Sequence, residues 1–216
     1  MKYLKCDSES VLVTAEALKN QKIVIIPTDT VYGFSGIVSG GSACACGESS
    51  GDGFGDGPGY MRGTDAEIRR IKGREAYKPF IQLIAAPEDI RQITDDPIPD
   101  ELFSLWPGAL TIIVNDKRDV AGGNATVAVR CPGDAWLREV IRETDSPIYS
   151  TSVNRSGKPV LTDIADIVAE FGNEVELIID DGDKRNALPS TIVSLVDGSC
   201  KVIRQGSVVI PRTLQQ

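Results

Sequence analysis

Short runs of apolar, mostly β-branched residues recur along the whole chain, and they constrain the fold more than any other feature. Several runs are apolar at consecutive positions, which is typical of strands covered on both faces. The runs lie at residues 23–26, 81–84, 110–114, 127–129, 177–179, 192–196 and 202–203. Strands of this kind need helices to cover them, so the fold class depends on what lies between the runs.

Amphipathic stretches do lie between them. Helices are predicted at residues 11–18, 68–71, 134–142 and 162–172. Thr64-Asp65-Ala66-Glu67 has the pattern of a capping box and predicts the start of the second helix. Asp197-Gly198 indicates a hairpin near the end of the sequence. Interleaved strands and helices predict an α/β fold with a mixed sheet.

Residues 39–63 do not fit this pattern, because they contain nine glycines in 25 positions and almost no aliphatic side chains. Such a segment buries too little apolar area to offset its ordering entropy. We predict a mobile insertion within a single domain of residues 1–216. The alternative is a metal site at Cys44 and Cys46 with Asp52 and Asp56, but zinc prefers four ligands and calcium loops are more densely acidic.

The chain contains no histidine. This excludes Ser-His-Asp and Cys-His catalysis and the HExxH metalloproteases. The commonest general base near neutral pH is absent as well, so any catalysis must use other groups.

The charge balance also restricts the function. The net charge is −8, from 23 basic and 31 acidic residues, which disfavours nonspecific binding to a phosphate backbone but leaves room for a local basic cleft. No uncharged run is long enough for a membrane span, and the first residues lack a signal-peptide core. Five cysteines without framework spacing fit reduced thiols. We therefore expect a cytoplasmic protein.

The common phosphate-binding signatures are absent. The sequence has no GxxxxGK[ST], and its glycines do not form GxGxxG between a strand and a helix. A P-loop ATPase and an ordinary dinucleotide dehydrogenase are therefore not supported.

Polar residues directly after the first apolar run form one of four candidate clusters. Residues 27–34 read Pro-Thr-Asp-Thr-Val-Tyr-Gly-Phe. In an extended chain Thr28, Thr30 and Tyr32 would share one face, at the end of a strand where α/β sheets bind ligands. The alternative is a turn whose threonines reflect strand propensity alone.

The other three clusters carry cations or hydroxyls. Lys72-Gly73-Arg74, followed by Lys78-Pro79, would either complement a helix dipole or clamp phosphate oxygens. Arg130 closes an apolar run, and a buried guanidinium there needs an anion such as the carboxylate of a small ligand. Residues 150–159 are rich in hydroxyls, which suits phosphate or ribose binding but also a surface turn.

Taken together, the clusters are far more specific than any one of them. PTDTVYG, KGR with KP, WPGALT, VAVRCP, STSVNRSGKP, PSTIV and VIRQG occur in this order. From about residue 11 to residue 206, apart from the insertion, the chain resembles the YrdC/TsaC family of threonylcarbamoyl-AMP synthases. The resemblance implies a twisted mixed sheet flanked by helices, with a positively charged cleft. It also implies that L-threonine, bicarbonate and ATP are joined to give threonylcarbamoyl-adenylate and pyrophosphate, for the N6-threonylcarbamoyl modification of adenosine 37 in tRNAs that read ANN codons.

The resemblance implies residue roles as well. The implied catalytic residues match the family's K-x-R…S-x-N signature and are Lys72, Arg74, Ser152 and Asn154. The same four residues, with Thr126 and Arg204, are the implied ATP contacts. The implied contacts to L-threonine are Thr28, Thr30, Arg130, Ser150 and Ser190, with Arg130 on the carboxylate.

The chain departs from the family pattern in two places. Some members have a histidine on the strand after KGR, near the threonine, and Leu83 stands at that position here. The long glycine-rich segment replaces a short acidic stretch, and it would act as a lid or be inert.

The resemblance implies Mg²⁺ that arrives with ATP, without dedicated protein ligands. Positioning and charge neutralisation dominate such transfers, so the absence of histidine is no obstacle. The implied partners are ATP, L-threonine, bicarbonate and a tRNA threonylcarbamoyltransferase complex that receives the product, with weak or indirect tRNA contact and no membrane.

Two other functions compete with this one. A noncatalytic RNA- or nucleotide-binding module of the YciO type is disfavoured by the intact K-x-R…S-x-N signature and by the acidic balance. The carbamoyltransferase of hydrogenase maturation carries zinc-finger parts, and no CxxC pair occurs here.

Overall fold

The computed structural model describes residues 2–38, 63–74, 79–118 and 125–214. Within these ranges the chain forms one ten-stranded sheet. The strands are β1 (Lys2–Lys5), β2 (Val24–Ile26), β3 (Gly33–Ile37), β4 (Ile81–Leu83), β5 (Leu110–Asn115), β6 (Thr126–Arg130), β7 (Ile148–Ser152), β8 (Leu177–Asp180), β9 (Thr191–Ser194) and β10 (Lys201–Arg204). The α-helices are α1 (Ser8–Lys19), α2 (Thr64–Lys72), α3 (Asp100–Phe103), α4 (Ala135–Thr144) and α5 (Ile164–Phe171), with short 3₁₀-helices at Pro87–Gln92 and Arg212–Leu214.

The sheet is mixed, as the sequence predicts. The strand order is β1-β8-β2-β3-β7-β4-β6-β5-β9-β10. β8 runs parallel to β1 and β2, β4 parallel to β6, and β5 parallel to β9, whereas the other neighbours are antiparallel. The hairpin at Asp197-Gly198 is confirmed, since it joins antiparallel β9 and β10, and Gly198 takes a left-handed φ of 74° there.

Each predicted apolar run contains a strand, but β1, β3 and β7 were not predicted. β3 reads GFSGI and β7 reads IYSTS, so both lack a run of β-branched residues. They lie near the middle of the sheet and pair with each other. Pairing with neighbours, rather than local propensity, makes these segments strands.

The ends of α1 and α2 show which local capping residues determine where a helix begins and ends. Asp7 caps α1 by accepting the Ser10 N–H at 2.9 Å. The predicted capping box at Thr64 is wrong: Thr64 is the first residue of α2, not its cap, and its hydroxyl donates to the carbonyl of Ile37 at 2.6 Å. This bond ties α2 to the end of β3 instead of capping the helix. α2 ends at Gly73, which takes a left-handed φ of 61°.

Helices cover both faces of the central strands. Ile25 and Ile178 pack in a cluster with residues of α2 and α5, whereas Ile26 and Ile179 pack with residues of α1 and α4. Alternate residues of a strand face opposite sides of a sheet, so the two helix pairs lie on opposite faces. Leu83 packs in the α1–α4 cluster. Ile81, two residues before Leu83 on β4, packs against the same cluster and lines the cavity described below.

In the described part of the chain, no helix has the length and apolar character needed to cross a membrane. The predicted insertion and the alternative metal site at Cys44 and Cys46 lie outside the described residues, apart from Gly63.

Candidate active site

A cavity of about 270 Å³ opens beside the strands β4, β5, β6 and β9 on the α1–α4 face. It brings together residues from four sequence clusters that are far apart along the chain. The predicted site residues that line it are Thr28, Thr30, Arg74, Arg130, Ser150, Ser152, Ser190 and Arg204. The structure therefore supports one shared site for these motifs, while the role of each residue stays a prediction.

The floor of the cavity is apolar. Ala128 of β6 pairs with Ile81 of β4 on one side and with Ile113 of β5 on the other, so the three side chains form one cross-strand row. Ile192 of β9 extends the lining. Because a small side chain stands between two isoleucines, the floor is recessed along β6. This surface suits the apolar parts of an organic ligand, while the polar groups lie around it.

Arg130 is the last residue of β6, and its side chain is 5% exposed. Its Nε donates to the carbonyl of Gly108 at 3.1 Å, and its Nη1 donates to Thr30 Oγ1 at 3.0 Å. Its Nη2 donates to the carboxylate of Asp29. The sequence predicted an anion for this guanidinium, and the chain itself supplies one. Asp29 was missed, although it stands between two threonines that were predicted to be site residues.

Thr28 and Thr30 lie in a turn rather than in an extended segment. Thr28 Oγ1 lies 2.9 Å from Thr30 Oγ1 and accepts the Thr30 N–H at 3.0 Å. Tyr32 lines the same cavity as the two threonines, but its hydroxyl is already bonded within the protein. Its hydroxyl donates to the carbonyl of Gly182 at 2.7 Å and accepts the Asp181 N–H at 2.8 Å. The two threonine hydroxyls face the cavity region together, and the Tyr32 hydroxyl anchors a neighbouring loop.

Ser190 and Arg204 form a second polar group at the cavity. Arg204 Nη2 donates to Ser190 O at 2.9 Å and to Ser190 Oγ at 3.1 Å. Ser190 Oγ also lies 2.9 Å from Thr111 Oγ1. Gly206 follows closely, and a Cβ there would lie 2.2 Å from the carbonyl oxygen of Pro189. Glycine lets the chain pass this close to β9, which keeps Arg204 over Ser190.

Lys72 and Asn154 do not line the cavity, in contrast to Ser152. Lys72 is 3% exposed, and its ammonium donates to Ser152 O, to Asn154 O at 3.0 Å and to Asn154 Oδ1 at 2.9 Å. Asn154 Oδ1 also accepts the Ser152 hydroxyl at 2.8 Å. An ammonium has three hydrogens, so these acceptors match its donors. Lys72, Ser152 and Asn154 of the K-x-R…S-x-N signature therefore form one hydrogen-bonded unit.

Arg74 lines the cavity and hydrogen-bonds to Thr151, next to Ser152 of the Lys72 unit. Its guanidinium carbon is 5.0 Å from the centre of the Phe80 ring. Nη1 donates to Thr151 Oγ1 at 3.2 Å, and Nη2 donates to the carbonyl of Pro79 at 3.0 Å. Burial lowers the pKa of Arg74, and the nearby Arg69 lowers it further. A guanidinium stacked on a ring and hydrogen-bonded at two nitrogens has a fixed orientation.

The cations of the site are poorly compensated by the protein. Within the ranges that the structure describes, neither Lys72, Arg74 nor Arg204 forms an ion pair with a carboxylate. Burial lowers the pKa of Arg204, and Arg130 lowers it further. Such groups favour a bound anion, since an anion would offset their charge. The positive charge of the wider cleft stays a prediction.

Thr126 lies outside the cavity. It is on the same face of β6 as Ala128 and Arg130, two and four residues along the strand. It lines an adjoining depression with Arg69 and Tyr149, which shares Pro79 and Phe80 with the cavity. A contact between Thr126 and ATP therefore requires a ligand that extends along β6 beyond the cavity.

Leu83 lies next to Arg130. The two residues pair across β4 and β6, and Leu83 is 1% exposed. A histidine at this position would be close to the guanidinium, whereas leucine gives Arg130 an apolar neighbour. The structure thus locates the departure from the family pattern beside the predicted threonine carboxylate site.

No group of three or more Asp, Glu or Cys side chains in the described part of the chain is placed to hold a metal ion. The carboxylate nearest to Arg130, that of Asp29, already accepts from Arg130 and from the Gly133 N–H at 3.0 Å. That Mg²⁺ arrives with ATP stays a prediction.

We expect the stability of the protein, relative to a Lys72→Met variant, to rise as pH increases from about 7 to about 10. Burial, and to a smaller degree Arg74, lowers the pKa of Lys72 from its ordinary value of 10.5 to about 7. In this window the unfolded lysine binds a proton that the folded one has lost, so a higher pH favours the folded state. Below pH 7 both states are protonated and the dependence disappears.

Thermal unfolding of both proteins across this pH range measures the effect. A Lys201→Met variant is the matched control, because Lys201 is exposed and pairs with Asp197 on the β9–β10 hairpin. A difference between the wild type and Lys72→Met that is flat or decreases with pH would contradict a lowered pKa.

Comparisons with known proteins agree with the motif pattern. The model of the Sua5/YciO/YrdC family, described as telomere recombination, matches residues 61–206. Threonylcarbamoyl-AMP synthases of Pyrococcus abyssi and Bacillus subtilis are 30% and 31% identical over 91% and 95% of the chain. The chain spans 54% and 56% of their lengths, about half of each.

A solved structure gives the same result for the fold. The crystal structure of P. abyssi Sua5 complexed with L-threonine matches with a TM-score of 0.73 at 28% identity. The match covers 95% of the chain and 56% of that protein.

Proposed function

The chain belongs to the Sua5/YciO/YrdC family, and we propose that it acts as a threonylcarbamoyl-AMP synthase. The proposed reaction joins L-threonine, bicarbonate and ATP to give L-threonylcarbamoyladenylate and pyrophosphate. One observation carries the proposal: a buried, oriented arginine and two arginines that have no carboxylate partner among the described residues line a single cavity with an apolar floor. That arrangement suits an amino-acid carboxylate beside a polyphosphate. The names of the relatives support the same activity.

The chemistry needs two bond-forming steps. The amine of threonine and bicarbonate form a carbamate and release water. A carbamate oxygen then attacks the α-phosphorus of ATP, and the bond from that phosphorus to the bridging oxygen of the β-phosphate breaks. This transfers an adenylyl group and releases pyrophosphate, so the proposed enzyme is a nucleotidyltransferase. The amine proton passes to solvent or bicarbonate, and no residue is assigned as general base.

The proposed task of the protein is to position the reactants and offset their charge. Arg130 and the hydroxyls of Thr28, Thr30, Ser150 and Ser190 would hold threonine. Arg74 and Arg204 would hold phosphate oxygens, where negative charge develops on the leaving pyrophosphate. Mg²⁺ bound to ATP would neutralise part of the triphosphate charge. Lys72 would act by fixing Asn154 and Ser152, as its hydrogen bonds indicate.

The proposed product is an activated carbamoyl donor. A tRNA threonylcarbamoyltransferase complex would take it up to modify adenosine 37. The net charge of −8 agrees with weak or indirect tRNA contact by this chain.

An assay of pyrophosphate release tests the proposal. We expect release from ATP only when L-threonine and bicarbonate are both present, and the adenylate should be detected by mass spectrometry in equal amount. Release that is independent of threonine would contradict the proposed reaction. Salt-dependent RNA binding without ATP turnover would instead support a noncatalytic RNA-binding module.

A further inference from the structure

Arg130 keeps part of its donor capacity for a ligand. A guanidinium has five N–H donors, and three of them go to Gly108 O, Thr30 Oγ1 and Asp29 Oδ1. Two N–H groups have no acceptor among the residues that the structure describes, and Arg130 lines the cavity. The side chain is 5% exposed, so its orientation is set by these protein acceptors rather than by solvent.

Asp29 is itself held from two sides. Its Oδ1 accepts from Arg130, and its Oδ2 accepts the Gly133 N–H at 3.0 Å. The contact with Gly133 is close, since a Cβ there would lie 3.1 Å from Asp29 Oδ2. Asp29 does not line the cavity, in contrast to its neighbours Thr28 and Thr30. The carboxylate therefore supports Arg130 from the side away from the ligand space.

The carboxylate charge matters as well as the geometry. Arg130 and Arg204 lie near enough for Arg130 to lower the pKa of Arg204, a smaller effect than burial. Asp29 is the ion-pair partner of Arg130, with a side chain that is 20% exposed. Without this charge, two arginines would repel each other at one end of the cavity.

We propose that Asp29 is a positioning residue that acts through Arg130, by orienting the two remaining N–H groups toward the carboxylate of the amino-acid substrate. The inference rests on the proposed function, since it names how that site recognises its amino acid. Asp29 touches neither reactant. Its effect therefore falls on the affinity for the amino acid and not on ATP.

Asp29→Asn is the direct test, because it removes the negative charge and replaces one of the two oxygens that Arg130 and Gly133 use separately with an NH₂ group. We expect the KM for L-threonine to rise about tenfold, with kcat and the KM for ATP changed by less than about threefold. Calorimetric binding of L-threonine without ATP should weaken by the same factor. The matched control is Asp197→Asn, which alters an exposed ion pair on the hairpin and should change nothing.

An analogue separates positioning from general structural damage. L-threoninamide lacks the carboxylate charge, so its weak binding should be the same in the wild type and in Asp29→Asn. Equal weakening of both ligands would overturn the inference. Asp29→Asn should also add nothing in an Arg130→Ala background, since the pair acts as a unit; full additivity would overturn it as well.

A second variant covers the case in which Asp29→Asn does not fold. Gly133→Ala places a methyl group against Asp29 Oδ2 and should raise the KM for threonine without affecting ATP. A wild-type protein that neither binds threonine nor releases pyrophosphate would overturn the proposed function and this inference together. An active wild type whose threonine KM is unchanged in both variants would overturn only the role of Asp29.

Discussion

Replacing Lys72 with methionine is expected to lower kcat/KM for ATP on the order of 10³-fold. Methionine fills a similar volume but donates no hydrogen bond. The carbonyl of Ser152 and both oxygens of Asn154 would lose the ammonium that holds them. Ser152 lines the cavity, so the loss reaches the reactants through its displacement.

The geometry explains why this effect should be large although Lys72 is 3% exposed. The Asn154 amide is saturated: Oδ1 accepts from Lys72 and Ser152, and Nδ2 donates to the carbonyls of Arg155 at 2.9 Å and Lys158 at 2.8 Å. The Ser156 N–H also donates to the carbonyl of Lys72 at 2.7 Å. Removing the ammonium breaks a closed network rather than one contact.

Steady-state rates of pyrophosphate release measure the effect, with Lys201→Met as the control for loss of a lysine. Asn154→Ala should cause a loss of similar size, and the double variant should be little worse than either single one, because the two residues act as a unit. A Lys72→Met protein that folds and keeps kcat/KM within about tenfold of the wild type would contradict this account. If the loss of kcat/KM in the double variant equals the product of the two single losses, Lys72 and Asn154 act separately.

Consecutive apolar residues made much of the fold predictable. Residues 23–26 and 177–179 are buried from both sides, and such runs have few alternatives to a central strand. β3 and β7 were not predictable in this way, because their glycines, serines and threonine also suit turns. They become strands through the pairing of Gly33 with Ser152 and of Ser35 with Ser150, contacts that local sequence does not contain.

The candidate site was predictable in its residue types but not in its distances. The order of the motifs along the sequence led to the prediction of Thr28, Arg130 and Ser190 as site residues, and the structure places them around one cavity. Asp29 was not predicted, because its partner Arg130 is 101 positions away in the sequence. Thr64 shows the opposite error. The local sequence has the pattern of a capping box, but the Thr64 hydroxyl donates to the carbonyl of Ile37 in β3 instead of capping the helix.

The charge partner of Arg130 could also be predicted only in part from the sequence. The sequence indicated that Arg130 needs an anion, which is correct, but composition gives no way to tell a ligand from the carboxylate of Asp29. Only the folded structure distinguishes the two anions, because it shows which N–H groups of Arg130 already donate to protein acceptors. The net charge of −8 is compatible with a local cluster of Arg74 and Arg204 at the cavity, because the field within a cleft depends on the groups that line it.

Replacing Arg130 with alanine is expected to raise the KM for L-threonine about 10³-fold, equivalent to about 4 kcal/mol of binding free energy. The change removes the two N–H groups assigned to the threonine carboxylate and leaves Asp29 without its cation. Arg130→Lys should recover little, since three different nitrogens of the planar guanidinium donate to Gly108, Thr30 and Asp29, and a lysine ammonium does not reproduce this fork.

Initial rates at saturating ATP and bicarbonate, with calorimetric threonine binding, measure the loss of affinity that Arg130→Ala should cause. Arg142→Ala is the matched control, because Arg142 is half-exposed on α4, pairs with Glu139 and should leave every constant within about twofold. The KM for ATP should change far less than that for threonine in Arg130→Ala, since Arg74 and Arg204 remain. A folded Arg130→Ala protein with an unchanged threonine KM would place the amino-acid carboxylate elsewhere, and a selective loss of ATP affinity would assign Arg130 to the phosphates.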